Sequence, residues 1–182
     1  MELIDLINKR QSVREYSNRE VEAEKIEKCI EAARLAPSAS NSQPWKLIIV
    51  NDSELVKKVA AATFSSVVSF NKFTLQAPVL LVIVIERPRV ITQVGGFLKN
   101  REFPLIDIGI AAEHFCLQAA ELGLGTCMMG WFGEKTIKKL LGIPKNKRLG
   151  LIISMGYAPE DYPLRKKIRK EKTSVLSYNK YE

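Results

Sequence analysis

The chain has 182 residues, of which 46% are hydrophobic and 26% are charged. These values are typical of a single folded domain with a sizeable core, and they exclude an intrinsically disordered chain. The formal net charge is +8, from 28 basic and 20 acidic residues, so an anionic partner such as a phosphate, a nucleic acid or a membrane surface must be considered.

The chain begins with MELIDLINKRQ, which lacks the long apolar run of a signal peptide and predicts a short first helix. RQSVREY follows, and in extended backbone the side chains of Arg10, Ser12 and Arg14 would share one face. Two guanidinium groups and a hydroxyl suit a phosphate, because arginine binds phosphate oxygens with paired donors. The motif is short, and two solvated arginines in a loop are the alternative.

A second helix is predicted over about residues 22–36, because apolar residues recur on one face and Pro37 ends the pattern. The loop PSASNSQPW that follows is uncharged and rich in hydrogen-bonding groups. Its serines and amides could read the edge of a flat heterocycle, since an amide both donates and accepts. A turn whose side chains satisfy the local backbone is the alternative.

The next predicted elements are a strand, WKLIIV, and a third helix over about residues 53–62 that Ser53 could cap. APVLLVIVIE, residues 77–86, predicts a strand buried on both faces, because its apolar run is continuous. That run is too short to span a bilayer, so we expect a cytoplasmic protein without a membrane partner. Residues 87–104 are irregular and predict a long loop or a short lid.

A central, buried helix is predicted over residues 105–122, where apolar residues occur nearly all round. Cys116 in this helix and Cys29 in the second are expected to pack as small apolar residues. His114, the single histidine, is expected to be a core or interface residue rather than a catalyst. The chain has three cysteines without a CxxC pair and one histidine. This composition does not favour a metal site, and we predict none.

GLGTCMMGWFG, residues 123–133, predicts a small strand and a turn. It lacks the GxGxxG spacing of a dinucleotide-binding fingerprint. Glycines here would permit a tight helix exit or a close approach to a ligand. Met128, Met129 and Trp131 are expected to be core residues or the wall of a pocket.

A helix from Glu134 and a strand over residues 148–157 complete the predicted elements, and a basic tail follows. RKKIRKEK, residues 165–172, holds six basic residues in eight. Lys167 and Arg169 would share one side of an extended tail and could complete a phosphate site with Arg10 and Arg14. A solvated tail is the alternative. We expect no nucleic-acid partner, because no recognition motif or interleaved aromatic residue accompanies the charge.

Strands separated by helices predict a sheet that is covered by helices on both faces. Beyond this pattern, the chain resembles the nitroreductase family of FMN flavoproteins. RQSVREY, APSASNSQPWKLIIV, GLGTCMMGWF, LGLIISMGY and the terminal SYNKY occur in that family's order and cover nearly the whole chain. The resemblance implies one α+β domain over residues 1–182, with a mainly antiparallel central sheet, in an intertwined homodimer. The tail, about residues 158–182, would extend onto the partner chain.

The resemblance also implies FMN as the cofactor and NAD(P)H as the electron donor. Hydride would pass through flavin N5 in a ping-pong cycle to a nitroaromatic compound, a quinone or a similar acceptor, so no catalytic protein residue is expected. The implied cofactor-binding residues are Arg10, Ser12, Arg14, Pro37, Ser38, Ala39, Ser40, Asn41, Gln43, Asn71, Met128, Met129, Gly130, Lys167 and Arg169. The loop at residues 37–41 would lie beside the ring bound by the partner chain.

Two features depart from the family's usual pattern. The chain is short where larger relatives carry covering helices, and Met129 stands where some relatives have a glutamate near N5. Two alternatives remain open on the same fold: a flavin-fragmenting or dehalogenating enzyme, and a non-enzymatic flavin-binding or sensing protein. A nucleic-acid-binding module would differ from all of these in binding no flavin.

Overall fold

A computed structural model describes residues 2–86 and 101–181 of the chain. Within these ranges the α-helices are α1 (Leu3–Lys9), α2 (Ala23–Arg34), α3 (Ser53–Ala61), α4 (Phe103–Glu121) and α5 (Glu134–Leu140). The strands are β1 (Trp45–Val50), β2 (Val79–Ile85), β3 (Gly125–Met129) and β4 (Arg148–Gly156). Short 3₁₀ turns occur at Ala39–Asn41, Lys72–Gln76 and Lys172–Ser174.

The four strands form one antiparallel sheet in the order β1-β2-β4-β3. Trp45 pairs with Ile85 across β1 and β2, and Gly125 pairs with Gly156 across β3 and β4. The α+β fold with an antiparallel sheet is therefore confirmed.

Both faces of the sheet are covered, as the continuous apolar run of β2 predicts. Leu81 and Ile83 of β2 pack with α2 and α4 on one face. Leu80, Val82 and Val84 pack with α3 and α5 on the other face. Alternating side chains of one strand thus serve two separate cores.

Helix α4 is the central buried helix that the sequence predicts, and α2 packs along it. Cys116 and Cys29 are buried in this core, and burial raises the pKa of each thiol to about 12. His114 is half-buried, and its Nδ1 lies 3.3 Å from the carbonyl oxygen of Ala32 in α2. Among the described residues, no group of His, Cys, Asp and Glu side chains could hold a metal ion.

Some predicted boundaries differ from the structure. The side chain of Asp52, not Ser53, caps α3 by accepting a hydrogen bond from the backbone of Leu55 at 2.8 Å. Phe103 and Pro104 belong to α4 rather than to the predicted lid, because proline is accommodated in the first turn of a helix. Residues 87–100 of that lid lie outside the described residues. Within the described ranges, no helix is long and apolar enough to cross a bilayer.

Candidate functional site

The segment around Ser12 is held along the edge of the sheet by β3. Ser12 pairs with Thr126 in a parallel bridge, and the backbone N–H of Val13 donates to the carbonyl oxygen of Thr126 at 2.8 Å. Val13 is buried against Gly125, where an added Cβ would lie 2.6–2.9 Å from the Val13 side chain. Gly125 therefore permits the close approach that orients this segment.

Arg10, Ser12 and Arg14 converge with the tail on one groove, as their alternation predicts. We call it the basic groove. It has a volume of about 300 Å³ and is lined by Arg10, Gln11, Ser12, Arg14, Arg165, Lys166, Lys167, Ile168 and Arg169. Both predicted tail residues lie in this set, so the structure brings together all five basic or hydroxyl residues that the sequence assigns to a phosphate.

Hydrogen bonds attach the tail to the N-terminal segment. The side chain of Gln11 donates to the carbonyl oxygen of Pro163 at 3.0 Å and accepts from the backbone of Arg165 at 3.1 Å. The Lys167 ammonium donates to the carbonyl oxygen of Arg10, and the Arg165 guanidinium donates to that of Ser12. Gln11 and Arg165 are thus groove residues that the sequence reasoning missed. Their pairing spans about 150 positions, so no local pattern predicts it.

The groove carries more positive than negative charge. Arg10 Nε lies 3.1 Å from Glu113 Oε1 of α4, in a half-buried ion pair. The pKa of Lys167 is lowered, chiefly by partial burial and then by the neighbouring charges of Arg10 and Arg169. A bound anion would relieve this repulsion, so the groove favours a phosphate or a similar group.

A second cleft adjoins the groove at Arg14. We call it the ring cleft. It has a volume of about 470 Å³ and is lined by Arg14, Phe70, Asn71, Cys127, Met128, Met129, Gly130 and Trp131. Met129 is buried in the core, whereas Trp131 is 58% exposed and forms an outer wall. A Cβ added at Gly130 would meet nothing within 4 Å, so this stretch leaves room for a flat ligand.

Asn71 is buried at the base of the ring cleft. Its Nδ2 donates to the carbonyl oxygens of Thr63 at 3.1 Å and Trp131 at 3.0 Å. Both amide hydrogens therefore hold the cleft wall, which leaves the amide oxygen as the group available to a ligand. Cys127 in the same wall is buried, and its pKa is raised by burial, so it is not a reactive thiolate.

The loop at residues 37–43, which we call the shelf loop, lies apart from both clefts. Ser40, Asn41 and Gln43 adopt left-handed backbone angles with φ of 53°, 51° and 46°. Each such angle costs about 1–2 kcal/mol in a residue other than glycine, and less in asparagine. Two hydrogen bonds within the loop stabilise it. Ser38 Oγ accepts one from the backbone N–H of Gln43 at 2.9 Å, and the side-chain amide of Gln43 donates the other to Asn41 Oδ1 at 3.0 Å.

One buried side-chain atom of the shelf loop has no hydrogen-bond partner within the described residues. Ser42 Oγ is buried and makes no hydrogen bond to any part of the chain that the structure describes. A buried, unpaired hydroxyl between left-handed residues marks a costly local conformation of the kind that functional loops retain.

Helix α4 connects the two regions but holds them on different sides. Glu113 bonds to Arg10 of the basic groove, and Asp107 bonds to Ala39 of the shelf loop. The two acidic residues are six positions apart, which is about 9 Å along the axis and about 120° around it. Pro37, Ser38, Ala39, Ser40, Asn41 and Gln43 accordingly line neither cleft within the described chain. One chain thus assembles nine of the fifteen residues assigned from the sequence.

The two joined clefts fit a ligand with an anionic end and a flat body. The basic groove supplies guanidinium, ammonium and hydroxyl donors, and the ring cleft supplies apolar walls with Arg14 between the two. FMN has these parts in this order: a phosphate, a polar ribityl chain and a planar ring. The donor set and the shape therefore fit FMN.

Comparison with known proteins agrees with this assignment. Residues 7–157 match the profile described as the Nitroreductase family. The chain belongs to the nitroreductase family. A protein of Archaeoglobus fulgidus, provisionally named as an NADH dehydrogenase/NAD(P)H nitroreductase, is 33% identical over 168 residues, which cover 88% of this chain and 87% of that protein.

Two further comparisons bear on the site. A structure described as an FMN-dependent nitroreductase of Clostridium difficile R20291 is 28% identical, with a TM-score of 0.77 over 98% of this chain and 100% of that one. An iodotyrosine deiodinase of Haliscomenobacter hydrossis is 26% identical over 196 residues, covering 96% of this chain and 87% of that protein. Chains that are similar to this one therefore carry different named reactions.

Proposed function

We propose that this chain is an FMN-dependent oxidoreductase that takes electrons from NAD(P)H. The observation that carries the proposal is the position of Arg14, which lines both the basic groove and the ring cleft. An anion site that adjoins a cleft walled by methionine and aromatic side chains is what an FMN-binding surface requires. The FMN-dependent description of the Clostridium difficile relative supports the same cofactor.

The residues of one chain divide into three roles in this proposal. Arg10, Ser12, Lys167 and Arg169 would hold the phosphate, and Arg14 would bind the ribityl chain and the pyrimidine edge. Met128, Met129 and Gly130 would contact one side of the ring, and the oxygen of Asn71 would be available to its edge. FMN, when bound, supplies hydride acceptance and donation, so the chain needs no nucleophile of its own. Its residues bind the cofactor, hold its orientation and exclude water from one face.

We also propose a homodimer in which the shelf loop serves the site of the partner chain. The left-handed backbone angles of the loop, which lines neither cleft of its own chain, support this arrangement. So does the tail, whose large apolar residues remain exposed on a single chain: Leu164, Ile168, Val175, Leu176, Tyr178 and Tyr181. A second copy that covers both features would complete the ring-facing surface of each site.

The proposed reaction is a ping-pong cycle in which NAD(P)H leaves before a nitroaromatic compound, a quinone or a similar acceptor enters the same cleft. Initial rates measured against NADPH at several fixed acceptor concentrations test this order. Parallel double-reciprocal lines are the expected result. Lines that intersect would require both substrates to be bound together and would contradict the shared cleft.

Reductive deiodination is a second candidate, favoured by the 26% identity to an iodotyrosine deiodinase. To distinguish this candidate from the oxidoreductase, the FMN-loaded protein is incubated with iodotyrosine and dithionite, and the released iodide is measured. Iodide release at rates above those of free FMN would favour this candidate. Release no faster than free FMN, together with rapid reduction of a quinone by NADPH, favours the oxidoreductase.

A further inference from the structure

A buried carboxylate of α4 accepts a hydrogen bond from the backbone of the shelf loop. Asp107 is 4% exposed, and each of its two carboxylate oxygens lies 3.2 Å from the backbone nitrogen of Ala39. Its pKa is raised by burial, and the hydrogen bond from Ala39 acts in the opposite direction. Within residues 2–86 and 101–181, that backbone N–H is the group that stabilises the buried charge.

This contact acts where the loop is most constrained. Ala39 immediately precedes Ser40 and Asn41, the first two of the left-handed residues. The far end of the loop is fixed separately, because the backbone of Glu86 donates to the carbonyl oxygen of Pro44 at 3.0 Å. The Asp107 contact therefore ties the near end to a helix that is packed in the core, and the strained residues lie between the two attachments.

A buried carboxylate is a costly way to fill space, since an apolar side chain would avoid the loss of hydration. It is justified where its oxygens accept a hydrogen bond that fixes a backbone group in one orientation. We propose that Asp107 is the positioning residue of the shelf loop, keeping the loop amides in the geometry that receives the flavin. The assignment rests on the proposed function, because it takes FMN to be the ligand.

The hydrogen bond can be tested without cofactor. Amide hydrogen exchange at Ala39 should be measured by NMR in the FMN-free protein, with wild type compared to Asp107→Ala and Asp107→Asn. Loss of a hydrogen bond to a charged acceptor should speed exchange in Asp107→Ala about tenfold or more. Asparagine keeps an oxygen acceptor, so Asp107→Asn should exchange within about threefold of wild type.

The role toward the ligand is tested by FMN titration of the same proteins, followed by flavin fluorescence. The dissociation constant should rise about tenfold or more in Asp107→Ala and remain within about threefold of wild type in Asp107→Asn. Ile137→Val is the matched control. Ile137 is fully buried in α5 on the opposite face of the sheet, so this variant loses core packing without touching the loop.

The outcomes separate this assignment from the proposed function. Unchanged exchange at Ala39 in Asp107→Ala, or faster exchange with unchanged FMN affinity, would overturn the positioning role alone. An asparagine variant as impaired as the alanine variant would also overturn it, because the acceptor oxygen is still present. A wild-type protein that takes up no FMN would overturn the proposed function, and the assignment would fall with it.

Discussion

Arg14 illustrates how much of the site depends on single side chains. Its backbone nitrogen donates to the hydroxyl of Tyr162 at 3.0 Å, which fixes the main chain while the exposed side chain lines both clefts. Ser12 and Arg14 could be placed from the sequence because the alternation of extended backbone is a local rule. Gln11, Phe70 and Asp107 could not, because their contacts depend on how distant segments pack.

Replacing Arg14 with alanine should weaken FMN binding by about tenfold or more, since a charge-assisted contact is lost. It should also lower the reduction potential of the bound flavin, because a positive charge near the pyrimidine edge favours the reduced form. Titration and spectroelectrochemistry measure the two effects. Lys139→Ala, on the exposed face of α5, is the charge-matched control. Wild-type affinity and potential in Arg14→Ala would show that this residue has been misplaced.

Glu22 shows the effect of a single contact on stability. Its carboxylate accepts a hydrogen bond from the Tyr157 hydroxyl at 2.6 Å, and the Arg19 guanidinium lies 3.8 Å from the centre of the Tyr157 ring. The Tyr157 hydrogen bond is the main reason why the pKa of Glu22 falls from about 4.5 to about 2. These contacts tie the start of α2 to the end of β4.

Because the folded-state pKa of Glu22 is lowered, its contribution to stability is complete above about pH 4.5 and is lost as the pH falls toward 2. Wild type should therefore exceed Glu22→Gln in unfolding free energy at pH 7, and the difference should shrink steadily as the pH is lowered below 4.5. Urea unfolding at several pH values measures this. Glu27→Gln, exposed on the same helix, is the control. If the difference in unfolding free energy between wild type and Glu22→Gln does not change with pH, the hydrogen bond from Tyr157 to Glu22 does not contribute as proposed.

At the scale of elements, β3 determines where the basic groove lies. Gly125 lets Val13 approach closely, and the bridge at Ser12 follows from that approach. The sequence predicts a strand here and a role for glycine in close packing. It does not predict that the neighbouring backbone is the N-terminal segment, because that pairing joins residues more than a hundred positions apart.

The substitution Gly125→Ala should push the Val13 segment away from β3. Overpacking of this kind costs about 1–3 kcal/mol of unfolding free energy, and the displaced groove should also bind FMN more weakly. Chemical denaturation and FMN titration measure both. Gly109→Ala is the control, because an added Cβ there meets nothing within 4 Å and lies in the exposed part of α4. Wild-type affinity for FMN in Gly125→Ala would show that the packing of Val13 on Gly125 does not determine cofactor binding.

At the scale of the whole molecule, the sequence predicts two covered faces from the uninterrupted apolar run of β2, and the two cores confirm it. The order β1-β2-β4-β3 could not be read in advance, since strand order depends on pairings that leave no periodic signal. The sequence likewise does not predict that the shelf loop lies apart from the basic groove, because their positions depend on how distant segments pack.

That separation leads to a prediction for mixed dimers. One chain carries Arg10→Ala and Arg14→Ala, and the other carries Asn41→Gly and Gln43→Gly. The glycine substitutions remove both side-chain amides, and glycine adopts the positive φ angles of these positions without strain. Each variant alone should bind FMN weakly. If the loop serves the partner's site, a purified mixed dimer contains one intact site and should bind one FMN tightly. A mixed dimer that binds none tightly would place the loop and the groove in the same chain's site.

The proposed FMN-dependent activity is tested most directly by the visible absorption spectrum of the FMN-reconstituted protein, recorded anaerobically before and after NADPH or NADH is added. We expect a yellow protein, with flavin absorbance that remains after gel filtration and bleaches on addition of either or both nucleotides. A protein that stays yellow would support a flavin-binding protein without this reductive activity. A protein that retains no flavin would contradict the assignment of the basic groove and the ring cleft to FMN.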